Sequence, residues 1–177
     1  MIGKTVRTAL TAFALAGAVY AGSASAQEMI EAQTDWSVYV DSATKVCFVV
    51  SQPTKSEAKR GGQSVTARRG DIRFHIAVIP GINVGGEPSF MAGYPLRTDG
   101  SVEVQIKGEK FDMFPDPAVN AEYAWPDPAQ DANIIAAMKK GADAIVTGIS
   151  ARGTTTIDTF SLRGFTAAVE KAQELCK

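Results

Sequence analysis

The chain contains one histidine and two cysteines, and these limit the chemistry it can carry. His75 lies inside "DIRFHIAVI" between Phe74 and Ile76, within an alternating apolar pattern. As a general base it would need a nucleophile and an orienting carboxylate held close in the fold, which no linear pattern here supplies. We read it as a structural or surface histidine. Cys47 and Cys176 have neither a CxxC spacing nor an adjacent His to activate a thiol. With the cysteines paired, one His leaves only carboxylates for a metal, which suit Ca²⁺ or Mg²⁺ rather than zinc, and no D-x-D-x-D-G loop is present. The sequence therefore leads us to expect no catalytic residue, no metal site and no cofactor.

Binding chemistry is better represented. Lys55, Lys59, Arg60, Arg68 and Arg69 fall within "QPTKSEAKRGGQSVTARRG", residues 52–70, which is polar and rich in turn residues. Such a cluster can meet anionic lipid, lipopolysaccharide or cell wall through its surface field, and its plainer reading is a solvated loop. Arg69-Gly70-Asp71 matches the tripeptide that host adhesion receptors read, and equally fits a tight turn leading into a strand at Ile72. Phe114, Tyr123 and Trp125, set among Pro115, Pro117 and Pro126, can line a ligand pocket or close one end of a β core.

The elements that must position these residues begin after a leader. "MIGKTVRTALTAFALAGAVYAGSASA" carries Lys4 and Arg7, an apolar run from Ala9 to Ala21, and Ala24-Ser25-Ala26 before Gln27. This is the charged, apolar and A-x-A arrangement of a secretory signal peptide, expected to be cleaved after Ala26. The leader holds two of the 18 basic residues and none of the 19 acidic ones, so the mature chain has 16 against 19, a net of −3. That balance argues against nucleic-acid binding. Residues 27–177 are one domain's worth of chain. Both cysteines lie in it, and in an exported protein such a pair most often forms one disulfide. A free reactive thiol and a bond between two chains are the competing readings.

Most of this domain reads as short strands. Trp36, Val38 and Val40 alternate, as do Phe74, Ile76 and Val78. "SVEVQIKGEKFDMF" and "DAIVTGISARGTTTIDTFSL" read as hairpins, and residues 80–88 as a turn-rich connection. "WPDPAQDANIIAAMKKG" has Asp127 as N-cap, Pro128 at the first helical position and Gly141 as its stop. In "SLRGFTAAVEKAQELCK", Phe165, Ala168, Val169, Ala172, Leu175 and Cys176 mark one apolar face of a terminal helix.

"VCFVVSQPTKSE", "RRGDIRFHIAV", "FMAGYPL", the "WPDPAQDANIIAAMKKG" helix and above all "SLRGFTAAVEKAQELC" resemble the invasion-associated locus B family of exported α-proteobacterial proteins. The resemblance spans most of the mature chain. It implies a mainly β fold, an immunoglobulin-like β-sandwich with one internal and one C-terminal helix, in a periplasmic or envelope-associated protein without an established enzyme activity. Many relatives carry a cysteine near the position of Tyr39 and Val40 and a further pair in mid-chain. This sequence has neither, so its disulfide rests on the residues and not on the family.

The function expected from this reading is a non-enzymatic protein of the periplasm, outer membrane or secreted fraction, binding an envelope or host macromolecule, with peripheral contact to anionic membrane or cell wall. The alternative is a periplasmic carrier of a small apolar ligand or lipid, and a hydrolase using His75 ranks third.

Overall fold

The computed structural model describes residues 27–176; the expected leader, 1–26, lies outside them. Strands β1 (Gln27–Gln33), β2 (Trp36–Asp41) and β3 (Val46–Ser51) form a meander, and β3 continues through Pro53 into β4 (Lys55–Arg60) and its short partner β5 (Gln63–Ser64). Then come β6 (Arg73–Ile79), β7 (Asn83–Met91), β8 (Val102–Ile106), β9 (Glu109–Asp116) and β10 (Asn120–Pro126). After helix α1 (Asp131–Lys140) the chain makes the hairpin of β11 (Asp143–Ile149) and β12 (Thr155–Ser161), and ends in α2 (Phe165–Leu175).

All pairings are antiparallel, in the order β1-β2-β3-β6-β7-β10-β9-β8-β11-β12-β4-β5. This order dictates the architecture. β3 and β4 are neighbours in the chain but lie far apart across the sheet, and the link from Ser51 to Lys55 reaches roughly 14 Å at most. The sheet must therefore fold back until its two halves face each other at about the usual 10 Å sandwich spacing. Pro53 sits at the crossing, where its missing N–H costs no ladder bond, and Thr54 resumes pairing by donating its backbone N–H to the Thr159 carbonyl at 2.8 Å.

The fold is a β-sandwich, mainly β with one internal and one C-terminal helix. Period-two patterns sort its faces: Phe74, Ile76 and Val78 of β6 point inward, as do Val102, Val104 and Ile106 of β8. The layers meet through edge-to-face rings, Phe160 of β12 lying 5.7 Å from Phe74 and 6.2 Å from Phe90.

Both helices cover the inner face of the first layer beyond the reach of the second. α1 buries Ile134, Ile135 and Met138. It approaches β7 at Gly86, where a Cβ would lie 2.5 Å from the Ile76 side chain. Its start differs from expectation: Asp127 caps by accepting from the Ala129 N–H at 2.9 Å, but Pro128–Gln130 forms a 3₁₀ turn and the α-helix begins at Asp131.

α2 buries Phe165, Ala168, Val169 and Ala172; Leu175, expected on the same stripe, is 43% exposed, whereas Cys176 after it is 3% exposed. Phe165 meets Trp36 edge to face at 4.9 Å, and the Trp36 indole N–H donates to the Ser161 carbonyl at 2.9 Å. Gly164 opens the helix with φ +85°, and any Cβ there would strike the Gln33 carbonyl. The Cys47–Cys176 disulfide, with Cα atoms 5.9 Å apart, ties the helix end to β3.

Two expected loops are partly strand. Residues 52–70 contain β4 and β5, and 80–88 contain most of β7. β4 carries no apolar alternation because its side chains are exposed or half-exposed, so backbone pairing alone marks it as a strand. Gly86 of β7 reflects close packing against Ile76 of β6 and, less tightly, Ile135 of α1 rather than a turn.

Replacing Cys176 by Ser should leave a folded sandwich that is less stable by about 2–5 kcal/mol. Urea unfolding should show the loss, and amide exchange should place it in α2. Two titratable thiols in the unreduced, denatured wild type would remove the bond from this account.

Candidate arginine cleft

The basic residues picked out along 55–69 separate into three environments. Lys55 and Lys59 flank Glu57 on β4 and form ion pairs with it, and Lys55 holds the Glu57 carboxyl below its ordinary range. Their charge is partly spent on the protein itself.

Arg69 is not a surface group. Its side chain is 8% exposed and grips Asp158, 0% exposed, through two N–H···O contacts of 2.7 Å. The same guanidinium donates to the Ala92 carbonyl at 3.0 and 2.8 Å and lies 4.9 Å above the Tyr94 ring. This bidentate geometry is the arrangement in which an arginine neutralises a buried carboxylate. A signal for it was present: Thr156, Asp158 and Phe160 alternate on the inward face of β12, and a carboxylate there requires a cation. Turning Arg69 inward also removes the adhesion reading of Arg69-Gly70-Asp71. Gly70 is pinned by its N–H to the Gly93 carbonyl at 2.8 Å, and Asp71 pairs with Arg73 at 3.0 Å.

Arg60 and Arg68 remain, and the fold adds Arg152 from the β11–β12 turn. The three line one cleft of about 490 Å³. Arg60 donates to Thr154 Oγ1 at 2.6 and 3.2 Å, which orients its guanidinium without neutralising it. Among the described residues none of these three arginines has an acidic ion-pair partner. Glu122 is the one carboxylate lining the cleft. Tyr94 stands in its wall with its hydroxyl 2.6 Å from Thr156 Oγ1, and burial raises the phenol above its ordinary pKa, so it stays a neutral hydrogen-bonding group. Sequence proximity could not reveal Arg152 as a partner of Arg60, because only the pairing of β12 with β4 brings them together.

His75 lies on the opposite, outward face of β6, stacked on Tyr123 at 5.8 Å, and Tyr123 stacks on Trp125 at 5.5 Å. Desolvation, helped by the nearby Arg73 charge, lowers its pKa to about 4. Tyr123 and Trp125 do not close the core; Ala124 and Pro126 are the inward residues of β10, and Phe114 is 53% exposed.

A family model described as "Invasion associated locus B (IalB) protein" matches residues 94–173. Over that segment the chain matches this family. The matched segment supplies Tyr94, Arg152, Asp158, α1 and most of α2, whereas Arg60, Arg68, Arg69 and His75 precede it. The fold is similar to the crystal structure of invasion associated protein b from Bartonella henselae, at 20% identity and a TM-score of 0.53, covering 82% of this chain and 96% of that one. No curated protein matches the chain.

Two measurements check these assignments. Asp158→Ala should destabilise the protein by roughly 3–5 kcal/mol because it strands a buried guanidinium, and the double change Arg69→Met with Asp158→Leu should recover much of that loss in urea unfolding. His75 has a folded pKa of about 4 against an ordinary 6.5, so the unfolded chain binds more protons between these values and stability falls as pH drops from 6.5 towards 4. The loss should approach about 3 kcal/mol and be removed by His75→Phe when unfolding is compared at the two ends of that window.

Proposed function

We propose that this chain is an exported, non-enzymatic envelope protein that binds an anionic group on a macromolecular or surface partner through the Arg60–Arg68–Arg152 cleft. The observation that carries this reading is the convergence on one cleft of three guanidiniums that no acid of the described chain neutralises. Arginine forks match carboxylate and phosphate geometry, and Tyr94 and Thr154 add neutral partners beside them. Export is supported by the leader pattern in 1–26 and by the disulfide, which suits an oxidising compartment. The family match supports a place in the envelope, facing anionic membrane or cell wall. The alternative of an apolar-ligand carrier has less behind it, since Phe74, Phe90 and Phe160 fill the space where the layers meet.

The test is sedimentation with phosphatidylglycerol-containing vesicles and with purified cell-wall fragments, at low and high salt. Binding to at least one should fall with salt, since exposed charges are screened within about 8 Å at physiological ionic strength. Each of Arg60→Ala, Arg68→Ala and Arg152→Ala should weaken it by roughly tenfold, a typical worth of one charge-assisted hydrogen bond, while Lys55→Ala with Lys59→Ala should change it little. Binding that ignores both salt and the arginine changes would defeat the reading.

A further inference from the structure

The outward face of the first layer carries a second feature, independent of the arginine cleft. Register places Tyr39 beside Phe48, Phe48 beside Ala77 and Ala77 beside Glu87, while the next row sets Val50, His75 and Ser89 side by side. Ala77 and Ser89 are small, so the middle of this face is low. Phe48 and Tyr39 rise on one side, and Tyr123 and Trp125 on the other. The two walls stand on β3 and β10, three strand spacings or roughly 14 Å apart at the backbone. The result is a trough of about 540 Å³, open to solvent and walled by aromatic rings.

We propose that this trough binds a neutral carbohydrate, a short run of pyranose rings held between the aromatic walls. The polar groups select for that chemistry. The trough is lined by one cation, Arg73, and one anion, Glu87, so it attracts neither sign of ligand. Arg73 is engaged by Asp71, and Glu87 has no ion-pair partner among the described residues. His75 Nδ1 is buried without a hydrogen-bond partner, on an imidazole that desolvation keeps neutral. A hydroxyl both donates and accepts, so it meets the Glu87 carboxylate without bringing a second charge beside it. A purely apolar ligand would cover the Glu87 carboxylate without pairing it. An anion would face Glu87. A pyranose instead presents C–H groups to the rings and hydroxyls to the floor and ends, the division of apolar and polar contacts that a small-molecule site makes.

The experiment uses two neutral probes, N-acetylchitotetraose and cellotetraose, titrated into the disulfide-bonded protein. Trp36 is buried in the core, so a ligand-dependent change in tryptophan emission reports Trp125. At least one probe should bind saturably below about 10 mM, and the affinity should be indifferent to about 0.5 M salt, unlike cleft binding. Trp125→Ala and Phe48→Ala should each weaken it by roughly tenfold or more. Ala77→Leu, which fills the floor and removes no ring, should abolish it in a protein whose thermal unfolding matches the wild type. Arg60→Ala with Arg68→Ala should leave it intact, so the two sites succeed or fail separately. The proposal is overturned if neither probe binds, or if binding survives both Trp125→Ala and Ala77→Leu.

Discussion

Asp158 occupies an inward position of β12 and is fully withdrawn from water, and a carboxylate there is tolerable only when a cation is brought to it. Arg69 is that cation, and reaching Asp158 draws the end of the 61–72 segment onto the sandwich. The hydrogen bonds from the same guanidinium to Ala92, and from Gly70 to Gly93, fasten this segment to the chain leaving β7. With Arg69 committed inward, its neighbour Arg68 is left outward, beside Arg60 and Arg152. The buried pair thus separates a structural arginine from three available ones, and the cleft follows from that separation.

A second set of contacts holds the helical layer. The Phe165 ring packed on Trp36, the collision-tight Gly164 against Gln33 and the Cys47–Cys176 bond tie α2 to the first three strands, and the Trp36 indole N–H donates to the Ser161 carbonyl at the end of β12. Since α2 is the last element, these contacts connect the end of the chain to its beginning, and they close the part of the core that the second β-layer leaves uncovered. The helices therefore act as cover. Both proposed binding surfaces lie elsewhere, the cleft at the β4 and β11–β12 end of the second layer and the trough on the outer face of the first.

The two surfaces differ in what water does to them. In the cleft, charge is exposed, so affinity there depends on ionic strength. In the trough, aromatic area and a desolvated imidazole dominate, so affinity depends on fit.

Period-two alternation in β2, β6 and β8 and the stripe of α2 from Phe165 to Ala172 were legible in the sequence as local patterns written by burial on one face, and so was the Gly141 stop of α1, whereas the Asp127 signal marks a 3₁₀ turn that precedes the helix. The disulfide was legible as well, since an expected export signal and two cysteines leave one intramolecular pairing. β4 could not be read, because an element whose side chains all retain contact with water has no apolar pattern to show. The fate of the basic stretch was also decided only in three dimensions. Lys55, Lys59, Arg60, Arg68 and Arg69 are equivalent as a string of positive residues, and a carboxylate on β12, distant in sequence, withdraws one of them while a turn between two late strands adds Arg152. Non-local pairing set those partners, and non-local pairing is what a one-dimensional reading lacks.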